Sequence, residues 1–347
     1  MPKWVMDPAT DSSPIISSRI RLARNVAAYP FQTMLNDDQA KQMMTEVADA
    51  CTLANSAIPL LENPEFVILS DVPALERQVM LEQHMISHSL YKGEKYAGLV
   101  KHDDDSVSVM LNEEDHVRIQ GIGPGDNIDD VWRVADRVDD AIEARIAYAF
   151  DKGFGYLTAC PTNTGTGLRA SFMVHLPMLD KSGQLKNVLP ALGKFGMTVR
   201  GIYGEGTEPL GSIFQISNQL TLGKSEEEII EALKSVTKQV IDNEYRLLDK
   251  ALSKDRMAIE DNVYRSYGVL SNARKISSKE AISLLSNVRL GFMTGLLDMV
   301  KPSQPLYSIM MNCQPGSLEM RRGVPLEEAE RDVYRAEYLR HILAELQ

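Results

Sequence analysis

Two alternating apolar runs, residues 106–111 and 117–122, are separated only by Asn112, Glu113, Glu114, Asp115 and His116. A parallel crossover needs a dozen or more residues, so this pair must form an antiparallel hairpin. Further short, mostly alternating runs at 65–69, 96–100, 170–176, 197–202 and 213–216 read as strands of the same sheet. Helical spacing is visible twice among them. Asn36 to Gln39 opens a pattern with Ala40, Met43, Met44, Val47 and Ala50 on one face, and a second pattern covers 129–150. The expectation is an α+β fold, a mainly antiparallel sheet flanked by helices, preceded by a polar N-terminal strip.

The pattern changes at Ser225, where a capping-box start leads into Ile229, Ile230, Leu233, Val236 and Val240 at helical spacing. Beyond it no convincing strand appears. From about Leu248 to Gln347 the patterns are helical, with breaks expected at Gly268, at 302–305 and at 314–316. The division expected is therefore 1–247 as an α+β domain and 248–347 as an all-helical one, with a helix free to run across the boundary.

Composition excludes several function classes. With 44% hydrophobic residues in 347, no apolar run approaches the length of a membrane span. The first residues, MPKWVMDPATDSSP, contain no apolar core of a secretory signal. Cys51, Cys160 and Cys313 are too few and too scattered for a disulfide or zinc framework, which favours a reducing cytoplasm. A net charge of −11 argues against direct nucleic-acid binding and leaves room for a basic partner.

The stretch CPTNTGTGLRAS, from Cys160 to Ser171, puts a small-residue loop between a cysteine and an arginine. Such a loop suggests close backbone approach to a ligand, yet it ends in Gly167-Leu168-Arg169 and lacks the lysine of a P-loop. If phosphate binds, arginine must carry the charge. Arg19 and Arg21 share a face if extended, Arg118 follows the hairpin turn, Arg169 follows the loop, and Arg200 lies in a strand-like run. Singly each is an ordinary surface ion-pair partner; converging, they would clamp a polyphosphate, and phosphoryl transfer needs mostly such positioning together with Mg²⁺. Glu114 and Glu205 sit at strand ends beside candidate clamp arginines, where a carboxylate either is simply solvated or takes a proton or holds a cation. Cys160 is either core packing or an ionisable thiol.

Four separated motifs, SSRIRLARN, NEEDHVR, CPTNTGTGLRAS and VRGIYGEGTE, occur in the order found in the phosphagen (guanidino) kinases, and the chain resembles their catalytic domain from about Ile15 to Leu247. That resemblance implies an ATP site drawn from Ser17, Ser18, Arg19, Ile20, Arg21, His84, Arg118, Arg169, Ala170, Ser171, Phe172, Met173, Arg200, Gly201, Ile202, Tyr203, Gly204 and Glu205. It implies Glu114 and Glu205 on the substrate guanidinium, with Cys160 as a thiolate beside it; Glu113 and His116 receive no role. ATP and Mg²⁺ are the implied cofactors, with no dedicated protein metal site. A guanidinium has a pKa above about 12, so its nitrogen attacks only once a base takes a proton.

Only residues 1–16 precede the first motif, whereas the phosphagen enzymes carry a helical domain there that encloses a small substrate. An arginine projecting from a protein could enter the more open site. With the helical C-terminal region and the motif RDVYRA from Arg331 to Ala336, the chain resembles the bacterial protein-arginine kinases (McsB-type) along nearly its whole length. This resemblance implies phosphorylation of arginines on proteins, a heat-shock repressor among them, and marking of proteins for a Clp-type protease. An activator protein, a homodimer and no membrane partner are implied with it. It also implies a second, regulatory phosphoarginine site at Arg331, Asp332, Arg335 and Ala336. A kinase of free arginine or another small guanidino compound, and a phosphoarginine-binding adaptor, remain the alternatives.

Overall fold

The computed structural model describes residues 1–53, 64–92, 96–102, 105–202, 209–297 and 303–344. Its strands are β1 (Ile15–Arg24), β2 (Glu65–Ile68), β3 (Gly98–Lys101), β4 (Val107–Leu111), β5 (Val117–Pro124), β6 (Phe150–Asp151), β7 (Gly155–Tyr156), β8 (Leu168–His175), β9 (Met197–Gly201) and β10 (Ile213–Asn218). Eight of them form one sheet in the order β2-β3-β4-β5-β1-β8-β10-β9, every neighbour antiparallel. Each run expected to be a strand overlaps one of these. The hairpin is β4 with β5, in the register Leu111 opposite Val117.

The helices are α1 (Asp37–Leu53), α2 (Ala74–Glu82), α3 (His88–Tyr91), α4 (Ile128–Glu143), α5 (Pro177–Lys181), α6 (Leu185–Lys194), α7 (Glu226–Asn272), α8 (Ser278–Met293), α9 (Leu306–Asn312), α10 (Pro315–Arg322) and α11 (Glu328–Ala344). Among the described residues none is long and apolar enough to cross a membrane. The main core lies between one sheet face and α1, α4 and the first part of α7; Ile20, Leu22, Ile119, Leu168 and Ile216 meet Met43, Val138 and Leu233 there, all fully buried. Burial of each such side chain contributes about 1.5–3 kcal/mol, enough to fix which face of every strand turns inward.

Three expectations need correction. The strip before Asn36, read only as polar, contains a strand: β1 is the ten-residue strand between β5 and β8. The helical pattern read over 129–150 ends at Glu143, and Phe150 begins the small β6–β7 hairpin, with Phe150 opposite Tyr156. Gly268 does not break its helix. Val263, Ser266 and Leu270 are buried around it, and such tertiary packing outweighs the roughly 1 kcal/mol that a helical glycine costs.

The long helix α7 starts at a complete capping box, Glu228 N to Ser225 Oγ (3.2 Å) and Ser225 N to Glu228 Oε2 (2.9 Å), and kinks at Asp255. There the Asp255 carboxylate accepts from the Ala258 N–H (3.0 Å) and restarts the helix. A second core joins the N-terminal residues Trp4 and Val5 to α8, α9 and α11. Arg289 of α8 donates to the carbonyls of Thr10 (2.6 Å) and Ser13 (2.5 Å), and Asp11 accepts from the Leu306 N–H. The N-terminal residues are thus bound to the C-terminal helices, and their shared core reaches the sheet at Ile122 and Met173.

Candidate active site

Strand alternation divides the motif residues. In β1, Ile20 and Leu22 enter the core while Arg19 and Arg21 point to the opposite face. Across the ladders Arg21 lies opposite Gln120 of β5 and Arg169 of β8, Ala23 opposite Arg118, and Arg19 opposite Ser171. Met173 lies opposite Gln215, which lies opposite Arg200 of β9. Paired residues share a face, so Arg19, Arg21, Arg118, Arg169 and Arg200 all stand on the side away from the core. The sheet brings together five guanidinium groups that the sequence spreads over 182 positions, from 19 to 200.

These cations are largely uncompensated. Arg118 donates to Glu113 Oε2 (2.5 Å), but no carboxylate among the described residues pairs with Arg19, Arg21 or Arg169. Neutral groups orient them instead: Arg19 donates to Gln215 Oε1 (2.7 Å), and Arg169 to the Asn218 carbonyl (3.1 Å) and Asn163 Oδ1 (3.3 Å). The buried Nε of Arg21 has no partner. Burial and the Arg118 charge push Arg19 down to about 10. Arg21 moves further the same way, through burial and then Arg19, Arg118 and Arg169. Arg169 is lowered by burial, Arg200 and Arg118, against the opposing pull of Cys160 and Glu114. Clustered cations that depress one another are poised to accept a polyanion.

Arg19, Arg21, His84, Met173, Gln215 and Gln314 line a cleft of about 550 Å³, with Gly201 and Ile202 at its side. Ser17 and Ser171 are buried on the same sheet face. Several other described motif residues turn elsewhere. Ile20, Ala170 and Phe172 are core side chains, because every second residue of a strand must face the helices. Ser18 bonds the β5–α4 turn, donating to the Gly125 carbonyl (2.7 Å) and accepting from the Asn127 N–H (3.0 Å). Tyr203, Gly204 and Glu205 lie outside the described residues.

The motif Asn112–His116 separates into one free carboxylate and its supports. Glu114 is exposed at the hairpin tip. Glu113 beside it is pushed up by burial, but Arg118 and the Glu114 N–H outweigh this and hold it below the usual carboxylate range. Asp115 Oδ1 accepts from Asn25 Nδ2 and from the Ala159 N–H, both at 2.7 Å, tying the hairpin to the loop that carries Cys160. His116 Nδ1 accepts from the Val26 N–H (3.0 Å), and its Nε2 lies 2.9 Å from the Pro30 carbonyl, which makes it a neutral structural residue. Cys160 is half-buried, with Sγ 3.0 Å from Thr162 Oγ1.

The glycines of this loop have a packing task. A Cβ on Gly165 would strike the Thr221 carbonyl, and one on Gly167 would lie 2.5 Å from the Ala23 carbonyl; both have positive φ. Their freedom lets the loop pack against β1 and residues 221–222. Thr221 Oγ1 lies 3.0 and 2.7 Å from the carbonyls of Thr162 and Thr164 and holds the loop in that position.

The second candidate site lies in α11. Arg335 is buried, donating to the carbonyls of Cys313 and Ile276 (both 2.9 Å) and to Asp332 Oδ1 (2.7 Å). Arg331 pairs with Glu319 (2.9 Å) and donates to the Leu326 carbonyl (2.7 Å), while Ala336 is fully buried. In this arrangement Arg335 joins helices, and Asp332 is committed to it.

Comparison with known proteins agrees with this geometry. Residues 43–247 match the family model described as ATP:guanido phosphotransferase, C-terminal catalytic domain, and residues 256–347 that of the protein-arginine kinase McsB C-terminal domain. The chain is 47% identical over 329 residues to the protein-arginine kinase of Caldanaerobacter subterraneus subsp. tengcongensis, covering 95% of this chain and 96% of that one. To the protein-arginine kinase of Bacillus subtilis it is 43% identical, covering 98% and 93%. Among solved structures, lombricine kinase superposes with a TM-score of 0.57 at 24% identity over 69% of this chain and 67% of that one. The duplicated taurocyamine kinase of Schistosoma mansoni with bound transition-state-analogue components gives 0.61 at 21% identity over 79% and 39%. At those identities the likeness extends to the fold, while the much closer relatives, matched over nearly their full length, place this chain in the protein-arginine kinase family.

Proposed function

We propose that the chain transfers the γ-phosphoryl group of ATP to a guanidino nitrogen of arginine side chains in proteins. The observation that carries this reading is the row of five guanidinium groups on one sheet face, ending beside the free carboxylate of Glu114. The polyphosphate lies on Arg19, Arg21, Arg118, Arg169 and Arg200, of which Arg19 and Arg21 line the cleft. Mg²⁺ would be held chiefly by the phosphates and supply charge neutralisation. Glu114 takes a proton from the incoming guanidinium as its nitrogen forms the bond to phosphorus, and ADP leaves towards the arginines. Glu205, outside the described residues, is assigned to the same guanidinium.

Incubation with ATP and either an arginine-rich protein or free arginine tests the proposal, with phosphate analysed at neutral pH because the P–N bond is acid-labile. Phosphoarginine on protein, abolished by chelator, is expected. Transfer only to free arginine would make the chain a small-guanidine kinase, and binding of phosphoarginine without transfer an adaptor. Cys160→Ser is expected to keep part of the native turnover, since a hydroxyl replaces only some of the contacts of the larger, more polarizable sulfur. Native turnover would return Cys160 to a packing role.

We assign residues 1–247 to catalysis and 248–347 to dimerisation and regulation, in the cytoplasm, acting with an activator on substrates that include a heat-shock repressor and on proteins destined for Clp-type proteolysis. A phosphoarginine at Arg331 would displace Glu319 and compete with Asp332 for Arg335. Arg331→Ala is therefore expected to lose stimulation by added phosphoarginine while its unstimulated rate stays within about twofold. Undiminished stimulation would remove the regulatory assignment and leave the catalytic one intact.

A further inference from the structure

One wall of the cleft carries a residue in an uncommon backbone state. His84 has φ of 60°, the left-handed residue that closes the C-terminus of α2, with its N–H on the Leu81 carbonyl (3.0 Å) and the Met85 N–H on the Met80 carbonyl (2.9 Å). Its carbonyl and ring are then held by other elements. Gln120 Nε2 donates to the His84 carbonyl (2.8 Å), Tyr307 Oη lies 2.7 Å from Nε2, and the Tyr307 ring lies parallel to the imidazole within 6°, centroids 6.3 Å apart. Trp4 packs beside both rings, at 6.3 and 6.0 Å. Tyr307 belongs to α9 and is fully buried, so the side chain that fixes His84 comes from the C-terminal helices.

A second junction lies two residues earlier. The Glu82 carboxylate accepts from the Gly316 N–H, the Ser317 N–H and Ser317 Oγ, each at 2.8 Å, and so caps the N-terminus of α10. A Cβ on Gly316 would lie 2.9 Å from Gln78 Cγ, so only glycine lets α10 approach α2 this closely. Gln314, immediately before α10, lines the cleft directly.

We propose that Tyr307 and the Glu82–α10 junction are positioning elements of the nucleotide subsite, so that the C-terminal helices complete the ATP site. The inference rests on the reading of this cleft as the place where ATP binds. Burial and the Arg19 charge push His84 down to about 3, so it meets a ligand as a flat neutral ring. A neutral ring suits the base and ribose of a nucleotide, while the polyphosphate lies on the guanidinium row.

Tyr307→Phe keeps the ring and removes the hydroxyl; Glu82→Gln keeps the shape and removes the charge at the α10 cap. Calorimetry of the full chain with MgADP, and separately with pyrophosphate, reads the two ends of the subsite. Each variant is expected to bind MgADP about tenfold more weakly, because a buried hydrogen-bond partner is left unmatched. Pyrophosphate affinity, kcat and the acceptor KM should stay within about twofold, as the arginine face is untouched. Unchanged MgADP affinity in both variants overturns the inference, as does an equal loss for pyrophosphate, which would mean general loosening. Native protein that binds MgADP but phosphorylates no arginine would defeat the proposed function and leave this inference standing; native protein that does not bind MgADP would defeat both.

Discussion

Glu114→Gln is expected to fold and bind MgATP as the native chain does, and to lose about 10²- to 10⁴-fold in kcat. The fold is retained because Glu114 is exposed at the hairpin tip while its neighbours do the structural bonding: Glu113 to Arg118, Asp115 to Asn25 and Ala159, His116 to Val26. Nucleotide binding is retained because the guanidinium row does not depend on Glu114 for orientation. What is lost is a base beside a nitrogen whose conjugate acid has a pKa above about 12, and an amide cannot take that proton. Turnover measured with an arginine-containing protein, alongside a thermal melt, checks the result. Near-native kcat would transfer the role of base to another group.

The second large effect is expected at Arg169. Its two Nη atoms are braced on opposite sides by the Asn218 carbonyl and Asn163, and it stands directly across from Arg21. A lysine there keeps the charge but has one donor centre in place of a planar fork, so it cannot hold both braces and grip phosphate together. Arg169→Lys should lower kcat by about 10²- to 10³-fold, the usual effect of removing one preorganised donor to developing charge. A lysine variant within tenfold of native turnover would mean that Arg169 contributes charge alone.

How much of this was legible before the fold was known differed by element. Strands with apolar alternation were readable, and the Glu113–Glu114 turn fixed their antiparallel sense. β1 was harder to see because its alternation is clean only from Arg19 to Leu22: Ser17 and Ser18 put polar residues on both faces, and the register shifts between Ile15 and Ser17. The arginines themselves were legible as chemistry. Contiguous motifs, however, exaggerate a site built on strands, as Ile20, Ala170 and Phe172 demonstrate by turning into the core. Tyr307 and Gln314 left no signal near any motif, since it is tertiary packing that brings α9 and α10 to the cleft. The loop glycines were visible, but composition could not distinguish a backbone approached by ligand from one approached by Thr221 and Ala23.

The opposition of charge and hydrocarbon across β1 also bears on how the chain reaches its native state. A slip of one residue against β5 and β8 would drive Arg19 and Arg21 into the layer filled by α4 and α7, and would lift Ile20 and Leu22 into water. Neighbouring registers are therefore separated from the native one by the transfer of whole cations. The groups that would grip phosphate act during assembly as a proofreading device: a wrongly paired molecule exposes its own error, and the folded population is uniform in register wherever it is competent to bind.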